Sequence, residues 1–251
     1  YGSLLWQEEG QKALVCDGKE PVFVDVPPML PERNLEKRKA ELKLSPDGTL
    51  EGSVRIELHG HRAVSRRIAL GETKDDEREK ELREDLAKRI PGAELTALEV
   101  EALADPEVPL VLKYRVRVPA YATRAGKRIV LPPSFFQRGV PPRFTASERR
   151  TPVWFPTGWL EEDEVRIELP EGFVAEDLSW TAPFLLGTGN LYKAAVSMDG
   201  RTLAYRRSLS FAGGLFDTKH YPTVRQGFAQ VSSADGRELV LVPAPAPGDK
   251  G

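Results

Sequence analysis

Apolar and charged residues alternate along much of this chain, and that period of two predicts strands. From Arg38, the residues Ala40, Leu42 and Leu44 alternate with charged neighbours. The stretch SPDGT then turns the chain, and Val54, Ile56 and Leu58 alternate with Arg55 and Glu57, which predicts a half-buried antiparallel hairpin. In PLVLKYRVRVPAY, Leu110, Leu112, Tyr114, Val116 and Val118 form one face and Lys113, Arg115 and Arg117 the other. AELTALEVEAL supplies a strand before it. LYKAAVSMDGRTLAYRRSLSF reads as two strands about an Asp-Gly turn at Asp199 and Gly200. Shorter strands follow from AGKRIVLPPSFF, from DEVRIELPEG with its Pro-Glu-Gly turn, and from RELVLVP. Near the start, Ala13 to Cys16 and Val22 to Val26 flank Asp17-Gly18 as a small hairpin that should bury its apolar side chains against the main fold.

Helical periodicity occurs in three places. HRAVSRRIALGE puts Ala63, Val64, Ile68 and Leu70 at near-helical spacing and stops at Gly71. DDEREKELREDLAKRIPG carries acids in its first turn, bases in its last, and Leu82, Leu86 and Ile90 every fourth residue, so one narrow stripe faces a core. YPTVRQGFAQVSSAD places Tyr221, Val224, Phe228 and Val231 on one face. Many strands with few helices predict a mainly β chain, an antiparallel β-sandwich with two or three covering α-helices.

Prolines divide the pattern. PPMLPERNLEKR lacks ladder donors at its prolines and reads as a linker, with a boundary near Pro31. The expected organisation is residues 1–30 as a hairpin plus linker and residues 31–245 as the sandwich region. That region divides into two possible halves, at about 31–140 and 150–245, and residues 246–251 form a disordered tail. QRGVPPRFTASERRTPVWFP between the halves reads as a crossing loop pinned by its aromatics.

Charge narrows the partners. The 36 basic and 38 acidic residues are interspersed over 251 positions and leave a net charge of −2, so the sequence shows no basic face for nucleic acid and no polybasic membrane patch. No apolar run is long enough to span a bilayer. The single cysteine, Cys16, excludes an internal disulfide, and its apolar setting reads as a small core residue.

Candidate chemistry is sparse. His59 and His61 could share a metal from a strand, but Gly60 interrupts it and no acid or cysteine has ligand spacing, so they read as turn residues with no metal and no cofactor. Glu161, Glu162, Asp163 and Glu164 could supply a carboxylate pair for a hydrolase, yet a run of acids before a strand reads as solvated loop. Phosphate-loop, nucleophile-elbow, zinc-protease and dinucleotide signatures are absent from the sequence. Aromatics are concentrated between Phe135 and Trp180, and Trp154, Trp159 and Phe136 are the candidates for stacking on a carbohydrate or other ligand, against a packing role.

One resemblance extends over nearly the whole chain. YGSLLWQEEGQKALVCDG, the linker proline and asparagine Pro31 and Asn34, the turn Asp47 to Gly52, LVLKYRVRVPAY, RRTPVWFP and FAQVSSADGRELVL together resemble bacterial proteins with a transglutaminase-like core flanked by β domains of unknown function. The resemblance implies that residues 1 to about 28 end a transglutaminase-like fold whose Cys-His-Asp triad would precede Tyr1. It further implies that the remainder is a non-catalytic accessory domain with the upstream domain as its partner, positioning a protein or cell-surface polymer in the periplasm or outside the cell.

Overall fold

The computed structural model describes residues 6–16, 18 and 20–245. Strands β1 (Lys12–Val15) and β2 (Val22–Asp25) come first, then β3 (Leu35–Leu44) and β4 (Leu50–Leu58), helices α1 (Gly60–Gly71) and α2 (Asp75–Arg89), β5 (Glu94–Glu101) and β6 (Leu110–Val118). The short strands β7 (Thr123–Ala125), β8 (Arg128–Leu131) and β9 (Val153–Phe155) lead to β10 (Trp159–Glu168), β11 (Phe173–Ala175) and β12 (Phe184–Leu185). The long hairpin of β13 (Leu191–Asp199) and β14 (Thr202–Phe211) precedes β15 (Gly214–Phe216), α3 (Tyr221–Asp235) and β16 (Leu239–Pro243).

Eight strands form the main sheet in the order β12-β13-β14-β10-β3-β4-β6-β5, and four form a second sheet in the order β11-β16-β8-β7. Their apolar faces meet, as expected of a sandwich. Leu42, Leu44, Val54 and Val116 of the main sheet pack in one cluster with Ile129, Leu131 and Leu241 of the second sheet and with Val231 and Ala234 of α3. Neighbouring strands pair antiparallel except at the centre, where β3 and β10 run parallel with Asp163 beside Arg38 and Val165 beside Ala40. That pair joins strands drawn from residues 35–118 to strands drawn from residues 159–211 in one sheet.

The rest of the inner face is covered differently. Ala63 and Leu70 of α1 pack on Leu58, Leu110 and Leu112, and Leu86 of α2 and Ile90 just after it join the main cluster beside Leu95. An aromatic cluster of Phe155, Trp159, Phe211, Tyr221 and Phe228 closes a third region. At the outer edge β5 carries a bulge between Thr96 and Glu99, with Ala97 at φ 54°, which breaks the flat edge that invites intermolecular pairing.

Three expectations change here. The β1–β2 hairpin forms as expected, its register setting Ala13 opposite Val24 and Val15 opposite Val22, but it does not bury its side chains: Phe23 is 68% exposed, and Leu14, Val15, Val22 and Val24 are exposed too. Cys16, expected in the core, is exposed for the same reason, since it directly follows β1, which pairs only with β2 and joins neither large sheet. Glu161 to Glu164 lie inside β10 rather than in a loop, because the strand begins two residues earlier, at Trp159. Asp17 of the first turn and the 246–251 tail lie outside the described residues.

Candidate functional site

Strand periodicity decides which charges turn inward. Along β10 the odd residues face the core, so Trp159, Glu161, Asp163, Val165 and Ile167 share one side. The first belongs to the aromatic cluster and the last two to the main core, so the two acids lie between apolar regions. Register then supplies partners, because Asp163 sits opposite Arg207 on β14 and beside Arg38 on β3.

The contacts are close and mutual. Arg38 donates to both Asp163 oxygens, Nε to Oδ1 at 2.6 Å and Nη2 to Oδ2 at 3.1 Å, a fork on a carboxylate. Arg207 donates from Nη1 to Glu161 at 2.9 Å and from Nε to Asp235 of α3 at 2.7 Å, and Asp235 also accepts from the Tyr192 hydroxyl at 2.7 Å. The parallel register sets Glu161 beside Glu36, a repulsive pair that Arg62 relieves by reaching down from α1 to bond both carboxylates. Arg62 is held in turn by Asn34, whose buried side chain accepts the Arg62 backbone N–H at 3.0 Å and donates to the Gly158 carbonyl at 2.6 Å.

Electrostatics follow from this geometry. Burial would raise the Glu161 pKa, but Arg38, Arg207 and Arg62 together hold it down at about 2. Asp235 moves the other way, because burial outweighs Arg207 and Tyr192 and lifts it above the usual carboxylate range. The same partners raise Arg38 and Arg207 against the burial that would lower them. A carboxylate held near 2 carries no proton to donate at neutral pH. Glu161, Arg207 and Asp235 do line a cavity of about 270 Å³ with Gln137 and Ser134, but both acids are bound there to the same guanidinium.

Beside this ionic belt lies a larger opening. A groove of about 780 Å³ runs between α1, α2 and the 155–159 turn. Ile56, Leu58, Leu112 and Tyr114 of the sheet lie along it, with Trp159 and Phe155 at one side. Four arginines border it: Arg62, Arg66, Arg89 and Arg143. Arg143 sits over the aromatic wall, its guanidinium carbon 4.9 Å from the Trp159 ring centre and 5.1 Å from that of Phe228.

Residues 127–241 match the family described as "Domain of Unknown Function with solved-structure structure (DUF3858)". The matched segment holds Glu161, Asp163, Arg207 and Asp235, whereas Arg38 and Arg62 precede it, so the ionic belt crosses its boundary. A crystal structure described as "a putative protease from Parabacteroides distasonis ATCC 8503" is similar at 18% identity and a TM-score of 0.33, over 39% of this chain and 19% of that one. This chain thus spans about a fifth of that protein's length. None of the curated proteins matches.

The aromatic candidates separate. Trp154 on β9 is 60% exposed and meets Trp6 edge to face at 5.8 Å. Trp159 is 6% exposed and stacked on Phe211 at 4.6 Å, and Phe136 is buried beneath Arg38, so neither presents the open ring face that stacking on a ligand from solvent requires. His59 precedes α1 and bonds Glu57, while His61 is buried in the first turn of α1 and bonds Glu9 at 2.8 Å, so the two histidines serve different carboxylates. Among the described residues no group of three or more His, Cys, Asp or Glu is placed to hold a metal, and no helix is long and apolar enough to cross a membrane.

Sequence reasoning passed over the arginines. A signal for two of them was present: Arg38 stands in phase with Ala40, Leu42 and Leu44, and Arg207 in phase with Leu203, Tyr205 and Leu209, so each points where an apolar residue would. Arg62 and Arg66, four apart on α1, share a helix face.

Proposed function

We propose that this chain is a non-catalytic β-sandwich accessory module of a bacterial transglutaminase-like protein, exported from the cytoplasm, with a structural or substrate-positioning role. The observation that carries the reading is the uncovered β1–β2 hairpin. Leu14 pairs with Phe23 and Val15 with Val22 across it, and all four side chains are exposed. Burying a side chain of this size stabilises by about 1.5–3 kcal/mol, so the hairpin holds a large unspent driving force for docking. A domain preceding it in the same polypeptide is the partner that the sequence resemblance implies. The ion-paired state of Glu161, Asp163 and Asp235 also supports a structural rather than an acid-base use of these carboxylates.

The test is reconstitution in trans. The upstream domain of the parent polypeptide, ending before Tyr1, is mixed with this chain and association is followed by calorimetry. Association is expected, and Phe23→Glu is expected to abolish it. An absence of binding, or binding indifferent to Phe23→Glu, would overturn the reading, as would an upstream frame lacking Cys, His and Asp in that order.

A second reading rests on the exposed Trp154 and its contact with Trp6, which suit stacking on a sugar ring. Dose-dependent polysaccharide binding lost in Trp154→Ala would favour it over a purely structural role.

A further inference from the structure

The arginines around the groove differ in one respect. Arg62 is satisfied by Glu36 and Glu161, but Arg66, Arg89 and Arg143 have no carboxylate partner among the described residues. Arg89 donates to the Phe136 carbonyl, and Asp85 and Glu36, which line the same groove, act on its charge only from beyond ion-pair distance. Arg143 lies against three aromatic rings, and the loss of water there lowers its pKa below the ordinary arginine value, as it does for Arg89. In the same wall, Trp159 Nε1 is buried without an acceptor among the described residues. Three cations without a direct carboxylate partner therefore border an apolar floor, and each would gain from an anionic acceptor.

The shape and the local precedent choose among anions. Small molecules favour sites that enclose most of their surface, whereas this groove is open to solvent and suits an extended chain. Arg62, on the same helix as Arg66, already binds carboxylates projecting from extended backbone, those of Glu36 on β3 and Glu161 on β10. Guanidinium forks match carboxylates in two-point geometry, and the apolar floor of Ile56, Leu58 and Leu112 takes the side chains that alternate with them.

We propose that this groove binds an extended acidic peptide segment of a partner protein, with carboxylates on Arg66, Arg89 and Arg143 and intervening apolar side chains on the sheet floor. The site goes beyond the accessory-module reading, since it needs only this chain and stands whether or not an upstream domain docks on the hairpin.

Fluorescence anisotropy of the full chain with a short fluorescein-labelled peptide alternating Asp with Leu and Phe tests it, against the same peptide with Asn for Asp. Saturable binding of the acidic peptide is expected, and Arg143→Gln and Arg66→Gln should each weaken it roughly tenfold, the usual cost of losing one charge-assisted hydrogen bond. Arg128→Gln, on β8 of the second sheet, should leave it unchanged. Arg66→Gln should also keep the thermal midpoint of the parent, so that lost binding is not lost folding. The proposal is overturned by no saturation up to about 1 mM peptide, by equal binding of the Asn peptide, or by indifference to both arginine variants. It is equally overturned if inorganic phosphate displaces the peptide at lower concentration than free acetate does, or if phosphatidylserine vesicles bind through the same arginines more tightly than the peptide. Those results would assign the groove to phosphates or to a membrane surface.

Discussion

The β1–β2 hairpin and the centre of the main sheet exchange the customary places of apolar and charged residues. In the hairpin, Leu14, Val15, Val22 and Phe23 meet solvent, while at the sheet centre Asp163 and Arg207 are each only 4% exposed. The difference lies in what each region can pair with. A two-stranded ribbon has no third layer to bury it, so its apolar side chains stay exposed. The charges of β3, β10 and β14 face one another in register and neutralise locally, which makes their burial tolerable though not cheap.

Substitutions at the centre should have the largest effects. Asp163→Ala removes the forked partner of Arg38 and a second carboxylate contact of Arg207, leaving Arg38 only the longer contacts to Glu36 and Glu161, so stability should fall by about 3–5 kcal/mol in urea or guanidinium titration. A loss below about 1 kcal/mol would show that the belt is hydrated rather than dry. Next is Gly139→Ala, in the loop that covers the belt. Gly139 has φ +70°, and an added Cβ would lie 1.8 Å from the Arg89 carbonyl oxygen, so a loss of about 2–4 kcal/mol is expected by the same titration.

Acid should weaken the centre before the hairpin. Glu161 has a folded pKa of about 2, below the ordinary 4.5, so its contribution is fully present above pH 4.5 and is lost as pH falls from there towards 2, on the order of 3 kcal/mol in all. Asp235 acts oppositely, since its raised pKa costs stability as pH rises through the range above 3.8. Thermal midpoints measured from pH 5 to pH 2 should therefore fall less steeply in Glu161→Gln than in the parent chain; parallel curves would refute the assignment. The smallest effect belongs to the hairpin. Phe23→Ser should change the unfolding free energy of the isolated chain by no more than about 0.5 kcal/mol, while reducing self-association measured by light scattering.

How far the sequence could be read follows the same division. Alternation at Arg38 to Leu58, at Leu110 to Val118 and at Leu191 to Phe211 predicts the strands that form, because each pattern and its turn are local. Helices α1, α2 and α3 are similarly legible from spacing and end signals. The parallel β3–β10 pair was not, since no local pattern states which of two distant strands will meet, and with it went the fate of Glu161 and Asp163. Four consecutive acids hide the alternation that Trp159, Val165 and Ile167 would otherwise reveal. The groove was illegible for a related reason, as Arg66, Arg89 and Arg143 come from two helices and a loop that only the folded chain assembles.

The parallel seam between β3 and β10 also sets an order of events during synthesis. Residues 35–44 emerge early and pair with β4, but their other edge stays open until residues 159–168 have been made, so the middle of the sheet closes late. An open strand edge at the heart of a growing chain is an invitation to mispair. The lysines Lys37, Lys39 and Lys43 along β3, set beside Glu162, Glu164 and Glu168 of β10 in the finished sheet, are the residue type that discourages such encounters. The charge that strand carries thus serves twice, as a guard while the edge is exposed and as part of the lattice of ion pairs once β10 arrives.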